Sequence, residues 1–171
     1  MRLGENGNII CLDMQTVIGV IGRGVASEEE LNTAYEVGRE IAKRDIVLVS
    51  GGMGGVMEAA CRGAKTEGGL TVGIIPGIEK GEANPYVDIP VVTGMGHGRN
   101  IIVVHSSDAI IAIGGSYGTL SEIAFALRLR IPIIGINTWD VSSEIKNAES
   151  PGEAVDMAIR ISSSLADRGM R

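Results

Sequence analysis

The sequence predicts a single α/β domain, a doubly wound and mostly parallel sheet with helices on both faces. Short apolar runs alternate along the chain with segments of helical spacing. Those runs are apolar throughout instead of alternating with polar residues, as strands covered on both faces are. Three of the runs end in glycine-rich turns that lead straight into helices: GVIGRGVAS (19–27), SGGMGGVME (50–58) and IGGSYGTLSE (113–122).

The elements follow in order. TVIGVIG (16–22) reads as a strand, and residues 27–44 as a helix. Ser27 and Glu30 form a capping box there, and Leu31, Ala34, Tyr35, Val37, Ile41 and Ala42 form its apolar stripe. DIVLVS (45–50) is the next strand and VMEAACRGAKTE (56–67) the next helix. LTVGIIP (70–76) is a third strand, followed by a polar loop over 77–86 punctuated by Gly and Pro. DIPVVTG (88–94) is a shorter strand in which Pro90 removes a ladder donor. HGRNIIVVHSS (97–107) fits helix or strand by pattern, and its flanking strands favour a helix. DAIIAIG (108–114) is a buried strand, TLSEIAFALRL (119–129) a helix and IPIIGI (131–136) a strand. After a polar stretch, residues 150–169 form a closing helix with Ser150 as N-cap, Pro151 at the first helical position and Gly169 past its end. Residues 1–15 are expected to be an N-terminal extension and 16–171 a Rossmann-like nucleotide-binding domain, with any ligand at the carboxyl ends of the strands.

The chain has 171 residues, 44% of them hydrophobic and 21% charged, enough for one full core and a polar surface. A net charge of −6 argues against a nucleic-acid or anionic-membrane binder but leaves room for a small anion held by backbone amides. Trp139 and Phe125 are each the only residue of their kind, which argues against a stacking platform of several rings. Cys11 and Cys61 form no C-x-x-C pair and read as reduced thiols. His97 and His105 have no companions at metal-ligand spacing, so no metal site is expected. The N-terminus lacks a basic start followed by a long apolar stretch, and no run is long enough to cross a bilayer; a cytoplasmic location is expected.

The glycine turns carry the chemistry. In a parallel sheet all three lie on one edge, and the candidate phosphate-binding residues are Gly22, Arg23 and Gly24 in the first turn. Gly51, Gly52, Gly54 and Gly55 supply the second, and Gly114, Gly115, Ser116, Tyr117, Gly118 and Thr119 the third. A tight βα turn needs glycine for its own sake. A ligand approaching the main chain at a helix N-terminus needs it too, and Ser116 or Thr119 could add a hydroxyl donor. No P-loop pattern occurs. The first turn spaces its glycines as G-x-x-G-x-G, and Ser50 stands where a dinucleotide-binding fold places an acid for the ribose, so a dehydrogenase is weakly supported. Ser121 has no base tied to it by motif, which argues against a serine hydrolase.

Three segments, SGGMGGVMEAACRGA, GGSYGTLSE and GMGHGRN between them, resemble the Lonely Guy (LOG) superfamily, long mislabelled as lysine decarboxylases. The resemblance runs over about residues 16–140. Gly115, Tyr117, Gly118, Thr119 and Glu122 fall on the P-G-G-x-G-T-x-x-E hallmark, with Gly114 in place of its proline and Ser116 in place of its second glycine. The basic pair of the enzymes is matched by Arg99 but meets Asn100. The resemblance implies a nucleoside 5′-monophosphate phosphoribohydrolase that cleaves an N-glycosidic bond, with Arg99 and Glu122 catalytic. The superfamily also includes the molybdenum cofactor carriers, and that alternative is non-catalytic carriage of a phosphorylated pterin, to which Asn100 and Ser116 move weight. Either way the expected partner is a small phosphorylated nucleotide-like or pterin ligand. No cofactor is expected beyond the molybdenum cofactor as cargo.

Chemically, cleavage would build positive charge on the ribose, which a nearby carboxylate such as Glu122 stabilises while Arg99 neutralises phosphate or orients that carboxylate. The alternative for Glu122 is a helix-dipole acid and for Arg99 a solvated surface charge; the motif around Glu122 favours the functional reading there. Residues Leu120, Ile123, Ala124, Phe125, Ala126, Leu127 and Leu129 cover more than one face of the 119–129 helix. The C-terminal segment or a second subunit could cover the surplus; with the resemblance, a homodimer or higher homo-oligomer is expected.

Overall fold

Runs rich in Ile and Val become strands because their side chains pack on both pleated faces, and the intervening amphipathic segments close over them. The computed structural model describes residues 2–3, 9–10 and 15–167, with side chains over 15–164. In chain order the main sheet and its helices are β1 (Val17–Gly22), α1 (Glu28–Ala42), β2 (Val47–Ser50), α2 (Val56–Thr66), β3 (Thr71–Ile75) and β4 (Ile89–Val92). There follow α3 (Asn100–His105), β5 (Ala109–Ile113), α4 (Tyr117–Leu129), β6 (Ile133–Ile136), β7 (Lys146–Asn147) and α5 (Pro151–Asp167). Single 3₁₀ turns cover Lys80–Glu82 and Gly96–Arg99, and Arg2–Leu3 pairs antiparallel with Ile9–Ile10.

The seven strands lie in the order β4-β3-β2-β1-β5-β6-β7, and every pair is parallel. The order reverses between β1 and β5, which opens a crevice at their carboxyl ends. Alternate residues of β5 face opposite layers. Ala109, Ile111 and Ile113 pack with α1, α2 and α5, whereas Ile110 and Ala112 pack with α3 and α4. The fold is therefore the single Rossmann-like α/β domain that the pattern predicts.

The local signals hold where side-chain chemistry sets them. Ser27 Oγ accepts the Glu30 N–H at 3.3 Å while Glu30 Oε2 accepts the Ser27 N–H at 2.8 Å, closing the capping box of α1. Ser150 Oγ accepts the Glu153 N–H at 3.3 Å and opens α5. Gly169 and Cys11 lie outside the described residues, and Cys61 is a free, buried thiol. Pro90 pairs opposite Gly73 on an edge strand, where its missing donor costs nothing.

Boundaries differ where glycine or polarity hides them. The 97–107 helix divides into the 3₁₀ turn Gly96–Arg99 and the short α3. Helix α4 begins at Tyr117, two residues before the expected Thr119, because Gly118 within its first turn masks the start. Strand β7 is two exposed polar residues on the sheet edge and leaves no apolar signal. Among the described residues no helix is long and apolar enough to cross a membrane.

Candidate functional site

All three glycine turns meet on the carboxyl edge of the sheet, but they are built differently. In the β1–α1 turn a Cβ on Gly22 would fall on Val56, so that glycine makes room for α2. Gly24 faces open space. The first turn of α1 carries Glu28, Glu29 and Glu30, an arrangement that complements the helix dipole and repels an anion. A cleft of about 240 Å³ beside it is lined by Arg23, Ser27, Glu29, Glu30 and Asn137, with two carboxylates against one guanidinium. Arg23 bridges the crevice: its Nη2 donates to the Gly115 carbonyl at 2.8 Å and its Nε lies 3.1 Å from Glu30 Oε1. Expected as a phosphate ligand, Arg23 here is a strut between two turns.

The β2–α2 turn is closed on itself. Gly52 and Gly55 adopt positive φ of 69° and 67°, and a side chain on Gly55 would fall on the Arg23 carbonyl. That carbonyl accepts the Val56 N–H at 3.1 Å. The Gly52 N–H goes to Ser50 Oγ at 3.1 Å, while Asn84 donates its backbone N–H to the Gly52 carbonyl and its Nδ2 to that of Met53. Ser50, standing in place of a ribose-binding acid, is thus a turn brace. Gly51 makes room for the Arg99 guanidinium, and a side chain on Gly54 would meet nothing nearer than 3.7 Å.

The β5–α4 turn is open where its helix begins. Three successive carbonyls are drawn away by side-chain donors from elsewhere in the fold. Thr138 Oγ1 donates to Gly114, Arg23 Nη2 to Gly115 and Trp139 Nε1 to Ser116, at 2.5, 2.8 and 3.3 Å. Gly114 and Gly115 have φ of 55° and 153°, and side chains there would collide with Glu30 and with the Trp139 indole. The N–H groups of Tyr117 and Gly118, at the dipole's positive end, have no acceptor among the described residues. Thr119, expected as a hydroxyl donor, is buried, and its Oγ1 accepts the Ser116 N–H at 3.2 Å. It shapes the turn instead of facing a ligand. Gly118 has neither a positive φ nor a close neighbour, since a Cβ there would meet nothing nearer than Ser116 Oγ at 3.8 Å.

Beneath this turn the fold brings Arg99 and Glu122 together, although they lie on different elements. Arg99 ends the 3₁₀ turn and Glu122 projects from the second turn of α4; they are 7% and 6% exposed, with Arg99 Nη1 3.6 Å from Glu122 Oε1. Arg99 Nη2 donates to the Gly51 carbonyl at 3.1 Å, Nη1 also donates to Asn100 Oδ1, and Nε is buried without a partner among the described residues. Asn100 passes the network on. Its Nδ2 donates to Ser121 Oγ at 3.0 Å, and Ser121 Oγ donates to the Gly118 carbonyl at 2.6 Å. Burial pushes the Glu122 carboxyl up to about 7 against the opposing pull of Arg99, and burial likewise lowers Arg99. Neither is a solvated surface charge. A buried acid poised near neutrality beside a guanidinium can stabilise or exchange a proton with a bound group.

His97 and His105 are exposed, and among the described residues no cluster of three His, Cys, Asp or Glu could hold a metal. The sequence reading misses Thr138 and Trp139. They follow β6, more than twenty residues beyond the turn they hold, and only the parallel pairing of β5 with β6 brings them there.

The model of the SLOG cluster4 family matches residues 15–164. An uncharacterized protein of Archaeoglobus fulgidus is 49% identical over 142 residues, 83% of this chain and 93% of that one. The cytokinin riboside 5′-monophosphate phosphoribohydrolase of Mycobacterium tuberculosis is 39% identical over 98 residues, 56% of this chain and about half, 52%, of that enzyme. Among solved structures, the molybdenum cofactor binding protein of the phototrophic bacterium Rippkaea orientalis superposes with a TM-score of 0.83 at 38% identity. That superposition covers 87% of this chain and 98% of the other.

Proposed function

This chain belongs to the SLOG cluster4 family, and from that premise we propose that it binds a small phosphorylated pterin- or nucleotide-type ligand at the carboxyl edge of its sheet. The observation that carries this reading is the β5–α4 turn. Its carbonyls at Gly114, Gly115 and Ser116 are all engaged from behind, while its helix-terminal amides and the bare Gly118 are left for an anion. The form we favour is a cytoplasmic, non-catalytic carrier of the molybdenum cofactor, whose pterin bears a terminal phosphate. It is supported by the nearly full-length likeness to the Rippkaea protein, and by Asn100, which ties Arg99 to Ser121 where the enzymes carry a second cation.

Arg99 and Glu122 favour a second form, a nucleoside monophosphate phosphoribohydrolase. Cleaving an N-glycosidic bond builds positive charge on the ribose, and an ionised Glu122 beneath the phosphate turn would stabilise it. Two measurements separate the forms. Native mass spectrometry of the purified protein should show a retained pterin phosphate under the carrier reading. Incubation with AMP should release adenine and ribose 5-phosphate under the enzyme reading, with Glu122→Gln lowering turnover by on the order of 10²-fold or more while AMP still binds. Release of no base from any common nucleoside monophosphate rejects the enzyme, and absence of any bound phosphate ester under both conditions rejects the ligand class.

We further propose a homodimer across α4. Its Leu120, Phe125, Leu127 and Leu129 remain only partly buried, and α5 packs on the opposite layer, so the C-terminal helix does not cover them. Sedimentation at low micromolar concentration should show at least a dimer that Phe125→Glu dissociates. A wild-type species at 17.8 kDa refutes it.

A further inference from the structure

The chain has five aromatic side chains, one Trp, one Phe and three Tyr, and two of the five stand together at the rim of the β5–α4 turn. Tyr117 is the first residue of α4 and is 84% exposed, an unusual place for a large ring with no packing role. Its ring stacks beside the Trp139 indole, with centroids 6.4 Å apart and planes 24° from parallel. The indole is anchored: Nε1 donates to the Ser116 carbonyl at 3.3 Å, and the absent side chain of Gly115 leaves the space it occupies. Two rings of nearly common orientation are thus held at the turn whose free amides include that of Tyr117 itself.

Resting on the phosphate-turn reading above, we infer that Tyr117 and Trp139 form the stacking wall for the planar fused heteroaromatic ring, purine or pterin, of the ligand whose phosphate lies against this turn. Exposed aromatic faces gain by covering a flat heterocycle, whose own π-face stacks without needing a specific hydrogen-bond pattern. The wall therefore selects flatness, and leaves the choice between purine and pterin to groups at the ring's edge. It also assigns a use to an exposed tyrosine that neither the core nor the helix cap requires.

Trp139 is the sole tryptophan, so its fluorescence reports this wall directly. Calorimetric titrations with ribose 5-phosphate, AMP and free pterin, each repeated with tryptophan emission, decide the matter. Ribose 5-phosphate should bind without quenching, whereas AMP or pterin should quench Trp139. The ring-bearing ligand should lose about tenfold in affinity on Tyr117→Ala and keep it on Tyr117→Phe, with ribose 5-phosphate unchanged. Equal loss for all ligands on Tyr117→Ala, or no loss for the ring-bearing one, overturns the wall. Dissociation of a dimer by Tyr117→Ala with ring affinity intact assigns the pair to a subunit contact and also overturns it. Failure of ribose 5-phosphate alone rejects the phosphate turn, while quenching by pterin with loss on Tyr117→Ala would still uphold the wall.

Discussion

The β2–α2 and β5–α4 turns have nearly the same composition and sit two strands apart on the same edge, yet they are braced differently at the start of their helices. In β2–α2 the Gly52 and Val56 amides are consumed by Ser50 and by the Arg23 carbonyl, and two positive-φ glycines fold the chain tightly against its neighbours. Both turns have their carbonyls taken, those of Gly51, Gly52 and Met53 by Arg99 and Asn84 and those of Gly114, Gly115 and Ser116 by Thr138, Arg23 and Trp139, but in β5–α4 the Tyr117 and Gly118 amides that open α4 have no acceptor among the described residues. A glycine-rich turn can receive an anion only where the surrounding fold leaves donors free at a helix start. Glycine content alone records the close approach of something, whether protein or ligand.

The contrast breaks most sharply by exchanging side chains at Gly55 and Gly118. Gly55→Ala must adopt a positive φ and displace the Arg23 carbonyl, which should cost about 3 kcal/mol or more of stability in chemical denaturation. Gly118 lies in an ordinary helical turn, so Gly118→Ala should leave stability unchanged or raise it by up to about 1 kcal/mol. The same change should weaken ribose 5-phosphate binding at least tenfold, by blocking approach to the amides. Reversal of the two outcomes would mean that β2–α2 is the anion site.

Next in size is the pH dependence that the buried floor of the β5–α4 turn imposes. Glu122 binds its proton more tightly folded than unfolded, since its pKa is raised to about 7. Its contribution is therefore fully present below the ordinary carboxylate range and is lost as pH rises through about 7. Unfolding free energy of the unliganded protein should fall by on the order of 1–3 kcal/mol between pH 5 and 8, and Glu122→Gln should flatten that slope. An unchanged slope in the variant would show that other groups carry it.

The smallest expected effect tests the strut. Arg23→Ala releases the Gly115 carbonyl toward the crevice and should weaken phosphate binding several-fold. It should cost less than about 1 kcal/mol of stability, because its ion pair with Glu30 is partly solvent-exposed. Direct coordination of phosphate by Arg23 would instead show as a large loss restored by Arg23→Lys, which keeps the charge but not the planar fork.

The pairing of Arg99 with Glu122 is legible only through the family resemblance of the two motifs that carry them. What could not be read was the environment those motifs enter. By sequence Glu122 can also be a dipole-complementing acid; the packing of α3 against α4 is what removes it from water. Thr119 looked like a ligand contact, and its hydroxyl turned out to shape its own turn. The scarcity of aromatics argued against a platform of several rings; a count says nothing of whether the few rings meet.

The parallel sheet, its two covered faces and the gathering of the three glycine turns on one edge follow from apolar runs, helical stripes and glycines, because burial on both faces and right-handed crossovers leave little other choice. What braces each of the three turns was decided by residues remote in sequence. Arg23 reaches across the switch point, and Thr138 and Trp139 come from the next strand's loop. A hydrogen bond is set by distance and angle in space, so its partners need share no pattern along the chain. That is why the edge was readable from the sequence, and the candidate site proposed on it only from the fold.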